Sequence, residues 1–168
     1  MSSEQKIYGT GDWIVHVFYG LGQVLGKEYK ILEGEKQQFL QVKTADSLYW
    51  IPAANLENNR IRPIASINQF KYAFSLIRRP PKKLPEDHIV RKKEIAKTTK
   101  NNSLYAKARM IRDLNNRRIT SKFNSTENNV LKDMKRLFLN EWVLVLGENR
   151  EILEQKLNNG LKLGMGKV

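Results

Sequence analysis

The sequence predicts an α+β chain, a small antiparallel β-barrel followed by an all-α domain of about five helices. Three observations carry that reading. Residues 9–64 break into short runs with alternating apolar positions, separated by Gly-containing turns, as antiparallel strands do. From Ser66 onward the apolar residues recur at helical spacing instead. The charge divides at the same point: residues 1–64 hold 7 basic and 7 acidic side chains, whereas residues 65–168 hold 23 against 10, the whole net charge of +13. A chain of 168 residues accommodates two small domains, drawn at 9–64 and 66–160.

The strands follow in order. "WIVHV" alternates across a sheet. "LGQVLGKEYKI" and "QQFLQVKT" flank the turn-like "LEGEK". "SLYWIP" comes after a tight "AD" turn, and "RIRPI" closes the series. Pro52 and Pro63 suit strand ends, where no ladder donor is needed. In "SLYWIP", Leu48 and Trp50 share one face and Tyr49 and Ile51 the other. A small barrel has one core, so one pair faces outward and is a candidate interface.

The helices come next. The first covers Ile67–Arg78, with Phe70, Phe74 and Ile77 on one side and Pro80-Pro81 stopping it. The second begins near Glu86, signalled by Pro85 and Asp87, and runs towards Lys97. The third spans Ser103–Asn116. Leu104, Ala108 and Ile111 line one face, and Arg109 and Arg112 project from the far side and flank. Asn124 or Ser125 caps a fourth, with Val130, Met134, Leu137, Phe138 and Trp142 at helical spacing and Gly147 ending it. Trp142 on that stripe reads as core. A last helix covers Arg150–Leu157, with "NNG" as its terminator.

Several function classes drop out. There is no cysteine, hence no disulfide, thiol nucleophile or thiolate metal site. His16 and His88 are the only histidines, they fall in different halves, and neither has the partners that a metal site or a catalytic triad needs. No catalytic residue, metal or cofactor is expected. "YGLGQ" lies between strands instead of opening a helix, and "GLKLGMGK" stands too near the chain end to precede one, so neither reads as a phosphate loop. His16 reads as a packed strand residue beside the glycine turn of "GDWIVHVFYGLG". "MSSEQKIYG" has no leader pattern and "WVLVLG" is too short to cross a bilayer. A cytoplasmic protein without a membrane partner is the expectation.

Residues 71–122 concentrate the charge, with 16 basic and 4 acidic side chains. Such a field attracts polyanions, nucleic acid first. Its densest part is "RRPPKKLPEDHIVRKK". Arg78, Arg79, Lys82, Lys83, Arg91, Lys92 and Lys93 surround a helix start there and are spaced to meet successive phosphates. His88 and Ile89 lie between these groups, within reach of a groove. Arg109 and Arg112 extend the set.

"GDWIVHVFYGLGQVLG" resembles the opening of the CarD/CdnL family of bacterial transcription regulators. The resemblance continues through "FLQVKTADSLYWIPAANLENNRIRPI" and then "FSLIRRPP", "RMIRDLNNRR" and "NSTEN", in family order from Gly9 to Leu157. It implies a Tudor/SH3-like barrel that docks on the RNA polymerase β subunit. It also implies a helical domain that touches promoter DNA at the upstream edge of the melted bubble and stabilises the open complex, in a nucleoid-associated monomer. By this resemblance and the outward face of "SLYWIP", the strand with Leu48, Trp50 and Pro52 faces polymerase, Trp50 as anchor, and Lys30 on the neighbouring strand is a secondary contact. Two positions depart from the pattern. His88 stands where the family carries a wedging Trp, and Trp50 stands where an Arg often precedes the Val-Pro pair. The alternative is a general nucleic-acid-binding module, RNA- or ribosome-associated, with an SH3-like barrel.

Overall fold

A computed structural model describes residues 7–54, 56 and 60–166. Most of the stretch read for a leader, and positions 55 and 57–59 of "NLENN", lie outside the described residues. The chain forms two compact units, Met1–Ile64 and Ala65–Val168.

The first unit is a five-stranded antiparallel sheet, the Tudor-like fold expected. Its strands are β1 (Trp13–His16), β2 (Gly20–Leu32), β3 (Glu35–Lys43), β4 (Leu48–Pro52) and β5 (Ile61–Pro63), in the order β4-β3-β2-β1-β5. Turn chemistry sets the register. Val17–Tyr19 link β1 to β2 across the His16↔Gly20 pair, and Gly20 takes φ 72°, the left-handed residue that completes a three-residue hairpin loop. Glu33 and Gly34 both have positive φ (52° and 82°) between Leu32 and Glu35, which is a type I′ turn. Gly22 is needed for space: a Cβ there would lie 2.7 Å from Val42 Cγ1. The glycine-rich opening is therefore scaffold. His16 is buried, and its Nδ1 accepts from the Phe18 and Tyr19 amides at 3.0 and 3.2 Å. Burial, helped by the Arg60 charge, pushes its pKa below the ordinary value. The core of the unit joins Ile14, Val24, Leu40, Val42, Tyr49, Ile51 and Ile61.

The second unit packs five helices: α1 (Ile67–Ile77), α2 (His88–Lys100), α3 (Leu104–Thr120), α4 (Ser125–Leu146) and α5 (Arg150–Met165). Side-chain caps start them. Ser66 and Gln69 form a capping box on α1, as do Asn124 and Glu127 on α4, while Asp87 accepts from the Val90 amide to start α2. Gly147 ends α4 in the left-handed conformation. Phe70, Phe138 and Trp142 meet at the centre, so Trp142 is core.

Two features differ from what the sequence predicts. Helix α5 does not stop at "NNG" but continues to Met165. Gly160 and Gly164 are buried inside it, where a Cβ would come within 2.8 Å of the Phe74 ring and 2.6 Å of the Arg79 carbonyl oxygen. These glycines let α5 approach α1 and the segment after it, and that packing outweighs their poor helix propensity. Arg112 does not project from α3; it is buried.

Candidate interaction surfaces

On the β unit, strand alternation decides the outward pair. Tyr49 and Ile51 are buried, whereas Leu48 and Trp50 are 47% and 37% exposed and Pro52 is exposed beside them. Strand β4 pairs with β3 alone and, among the described residues, no strand lies along its other edge. An edge of this kind offers backbone groups as well as side chains to a partner. Trp50 is held in place there. Its indole Nε1 donates to Glu28 Oε2 at 2.6 Å, and the Lys30 ammonium sits 3.9 Å from its ring centroid and 5.8 Å from that of Phe39. Such cation–π contacts contribute about 0.5–1 kcal/mol at exposed sites. Lys30, the expected secondary contact, lies on β2, with β3 between it and β4 rather than on the adjoining strand, and it braces Trp50 from there. Glu28 was not foreseen. It lies 22 residues from Trp50 in sequence, and only the strand register brings the two together.

On the helical unit, the segment between α1 and α2 carries the basic pairs. Arg78, Arg79, Lys82 and Lys83 are exposed along it, Lys92 and Lys93 are exposed on α2, and Arg109 is exposed on α3. His88 is the exposed first residue of α2. With Lys92, one turn on, it borders a cleft of about 190 Å³ shared with Asn124, Thr126 and Val130 of the α4 start. Ile89 and Val90 also stand exposed in this first turn.

Arg91 departs from the expected set. Only 6% of it is exposed. Its Nε donates to Glu127 Oε1 at 2.6 Å, and its Nη1 donates to the carbonyls of Pro85 and Glu86 at 3.0 and 2.8 Å. Arg117 Nε donates to the second Glu127 oxygen at 3.1 Å. Burial alone would raise the Glu127 pKa. Hydrogen bonds from Arg91 and Arg117, the Arg117 charge and the Asn124 amide overcome it and hold the carboxyl below its usual range. Arg112 is committed in the same way. Its Nε donates to Asp113 Oδ1 at 2.7 Å, and the same oxygen accepts from the Lys82 amide at 2.9 Å. Neither guanidinium faces solvent, so Arg91 and Arg112 leave the set of phosphate-contact candidates and become supports for the basic segment. Spacing gave no sign of this, because the partners of Arg91 include a carboxylate 36 residues away.

Among the described residues no group of three or more acidic or histidine side chains could hold a metal ion, and no helix is long and apolar enough to cross a membrane.

A Tudor-like sheet with an open, apolar edge strand, followed by a strongly basic helical unit, defines a two-module binding protein. The comparisons give it a family. The CarD-like/TRCF RID domain matches residues 8–65, and the CarD C-terminal domain matches residues 72–158, more than half of the chain. No curated protein matches it. The chain belongs to the CarD family and is an RNA-polymerase-interacting transcription regulator.

Proposed function

We propose that this protein docks on the β subunit of bacterial RNA polymerase through β4 and holds promoter DNA with its helical unit, stabilising the open complex. The observation that carries the reading is the outward row Leu48, Trp50 and Pro52 on an edge strand, with Trp50 fixed by Glu28 and Lys30. A side chain already ordered before binding loses little freedom when a partner covers it. Arg78, Arg79, Lys82, Lys83, Lys92, Lys93 and Arg109 are the phosphate contacts, and His88 is the residue nearest the bubble edge. Docking on polymerase raises the local concentration of these cations at the promoter. Contacts that are better in the open geometry then shift the equilibrium towards it. Lys and Arg clusters read phosphate more than sequence, so promoter choice stays with the polymerase. The protein acts as a cytoplasmic, nucleoid-associated monomer and contributes no catalytic group.

The test is binding of purified polymerase. Wild type binds, and Trp50→Ala, still folded, loses about 2 kcal/mol, roughly thirtyfold. Unchanged affinity removes Trp50 from the interface. Failure of the wild type to bind polymerase while it retains nucleic acid favours the general nucleic-acid-binding module.

A further inference from the structure

The helical unit also holds a cavity of about 340 Å³, where the C-terminal part of α3 meets α4 and α5. That volume falls in the range of small-molecule sites, roughly 300–1,000 Å³. Its floor is apolar, formed by Leu139, Leu157 and Leu161, all buried. Its charged lining is one-sided: Arg118, Lys135 and Lys162 against Glu154. The three cations come from three different helices and converge only in the folded unit.

Lys135 is the informative member. It is half-buried, yet no carboxylate among the described residues pairs with it. Burial pushes its pKa down, Arg118 pushes it further in the same direction, and Glu154 only partly opposes them. A partly desolvated ammonium beside a guanidinium is costly unless an anion joins them. Arg118 is tethered at the cavity wall, where its Nη2 donates to Asn115 Oδ1 at 3.0 Å.

We propose that this cavity binds a small phosphate monoester with an apolar body, the dianionic head between Arg118, Lys135 and Lys162 and the body on the three leucines. Three cations against one carboxylate leave two positive charges to match the head. The leucine floor calls for an apolar body, which free phosphate lacks. A nucleic-acid backbone offers single charges on a continuous polar strand and suits the exposed basic segment instead.

Calorimetry on the full chain, with phenyl phosphate as probe and inorganic phosphate and benzyl alcohol as controls, tests it. Phenyl phosphate should bind about tenfold tighter than either control, because only it supplies both the charge-assisted hydrogen bonds and the apolar contact. Lys135→Gln should weaken it about tenfold with its melting temperature retained. Arg118→Gln, at an exposed position, should weaken it severalfold and serves if the first variant does not fold. No binding of phenyl phosphate, equal affinity for inorganic phosphate, or wild-type affinity in the folded variants overturns the proposal. So does displacement of the probe by a short DNA duplex, which would assign the cations to nucleic acid.

Discussion

Replacing Arg91 with Met separates a supporting arginine from a phosphate-binding one. Met keeps the apolar stem but removes the guanidinium, and with it the bonds to Glu127, Pro85 and Glu86. Removing one partner of a buried ion pair costs about 3–5 kcal/mol. Glu127 keeps Arg117 as a second partner, which places the cost near the lower end, about 3 kcal/mol. For a unit of about a hundred residues, each kcal/mol lowers the melting temperature by about 4 °C, so a fall of roughly 12 °C follows. Duplex affinity, measured against salt at a temperature where the variant is folded, supplies the second readout. Each phosphate contact contributes about 0.9 to the slope of log K against log salt. Arg91→Met should leave that slope unchanged. Lys92→Ala and Lys93→Ala should each flatten it by about 0.9 while changing stability by no more than about 0.5 kcal/mol. An Arg91→Met protein that melts like wild type and binds DNA with a flatter salt slope would refute the supporting role.

Gly164→Ala should destabilise the helical unit by about 1–2 kcal/mol in a denaturant melt, because overpacking against the Arg79 carbonyl exceeds the gain in helix propensity of about 1 kcal/mol. His16 has a folded pKa below its unfolded value of 6.5. Its contribution is therefore present above pH 6.5 and is lost as pH falls from there towards the folded pKa; His16→Gln should remove that dependence from the melting of the β unit. His88→Trp should lengthen, and His88→Ala modestly shorten, the lifetime of open complexes after competitor is added, since base–aromatic stacking is worth about 1–3 kcal/mol. Equal decay of all three proteins would place His88 away from the bubble edge.

What could be read from the sequence was what local chemistry decides. The β unit was legible strand by strand, because alternation and the turn residues Gly20 and Gly34 act over a few positions. The faces of β4 were legible as two pairs but not as in or out. That choice depends on β3, where Val42 pairs with Tyr49 and Leu40 with Ile51 on the buried side. The starts of α2 and α4 were marked by their caps, and that of α1 by the change to helical period at Ser66. The end of α5 was not, because Gly160 in "NNG" reads as a terminator until the Phe74 ring is seen against it. The buried arginines were the deepest miss. Arg91 is indistinguishable in sequence from Lys92 and Lys93, and only its position on the inner side of α2 takes it towards Glu127.

The composition of the basic segment explains why arginines lie beneath it. Pro80, Pro81 and Pro85 remove three amide donors but leave their carbonyls, so this stretch has an excess of acceptors. A guanidinium is rich in donors and has no acceptor. Arg91 meets the Pro85 and Glu86 carbonyls, and Arg112 reaches the Leu76 carbonyl at 3.4 Å, while Asp113 takes the Lys82 amide. Leu84 anchors the middle of the segment in the core. Two arginines are thereby drawn from a basic run and desolvated, which is expensive unless each is paired and hydrogen-bonded, as both are. The return is a fixed backbone under Arg78, Arg79, Lys82 and Lys83. Their long side chains must still be ordered on binding, but the segment that carries them is already in place. In this unit the buried arginines set the geometry, and the exposed cations present the charge.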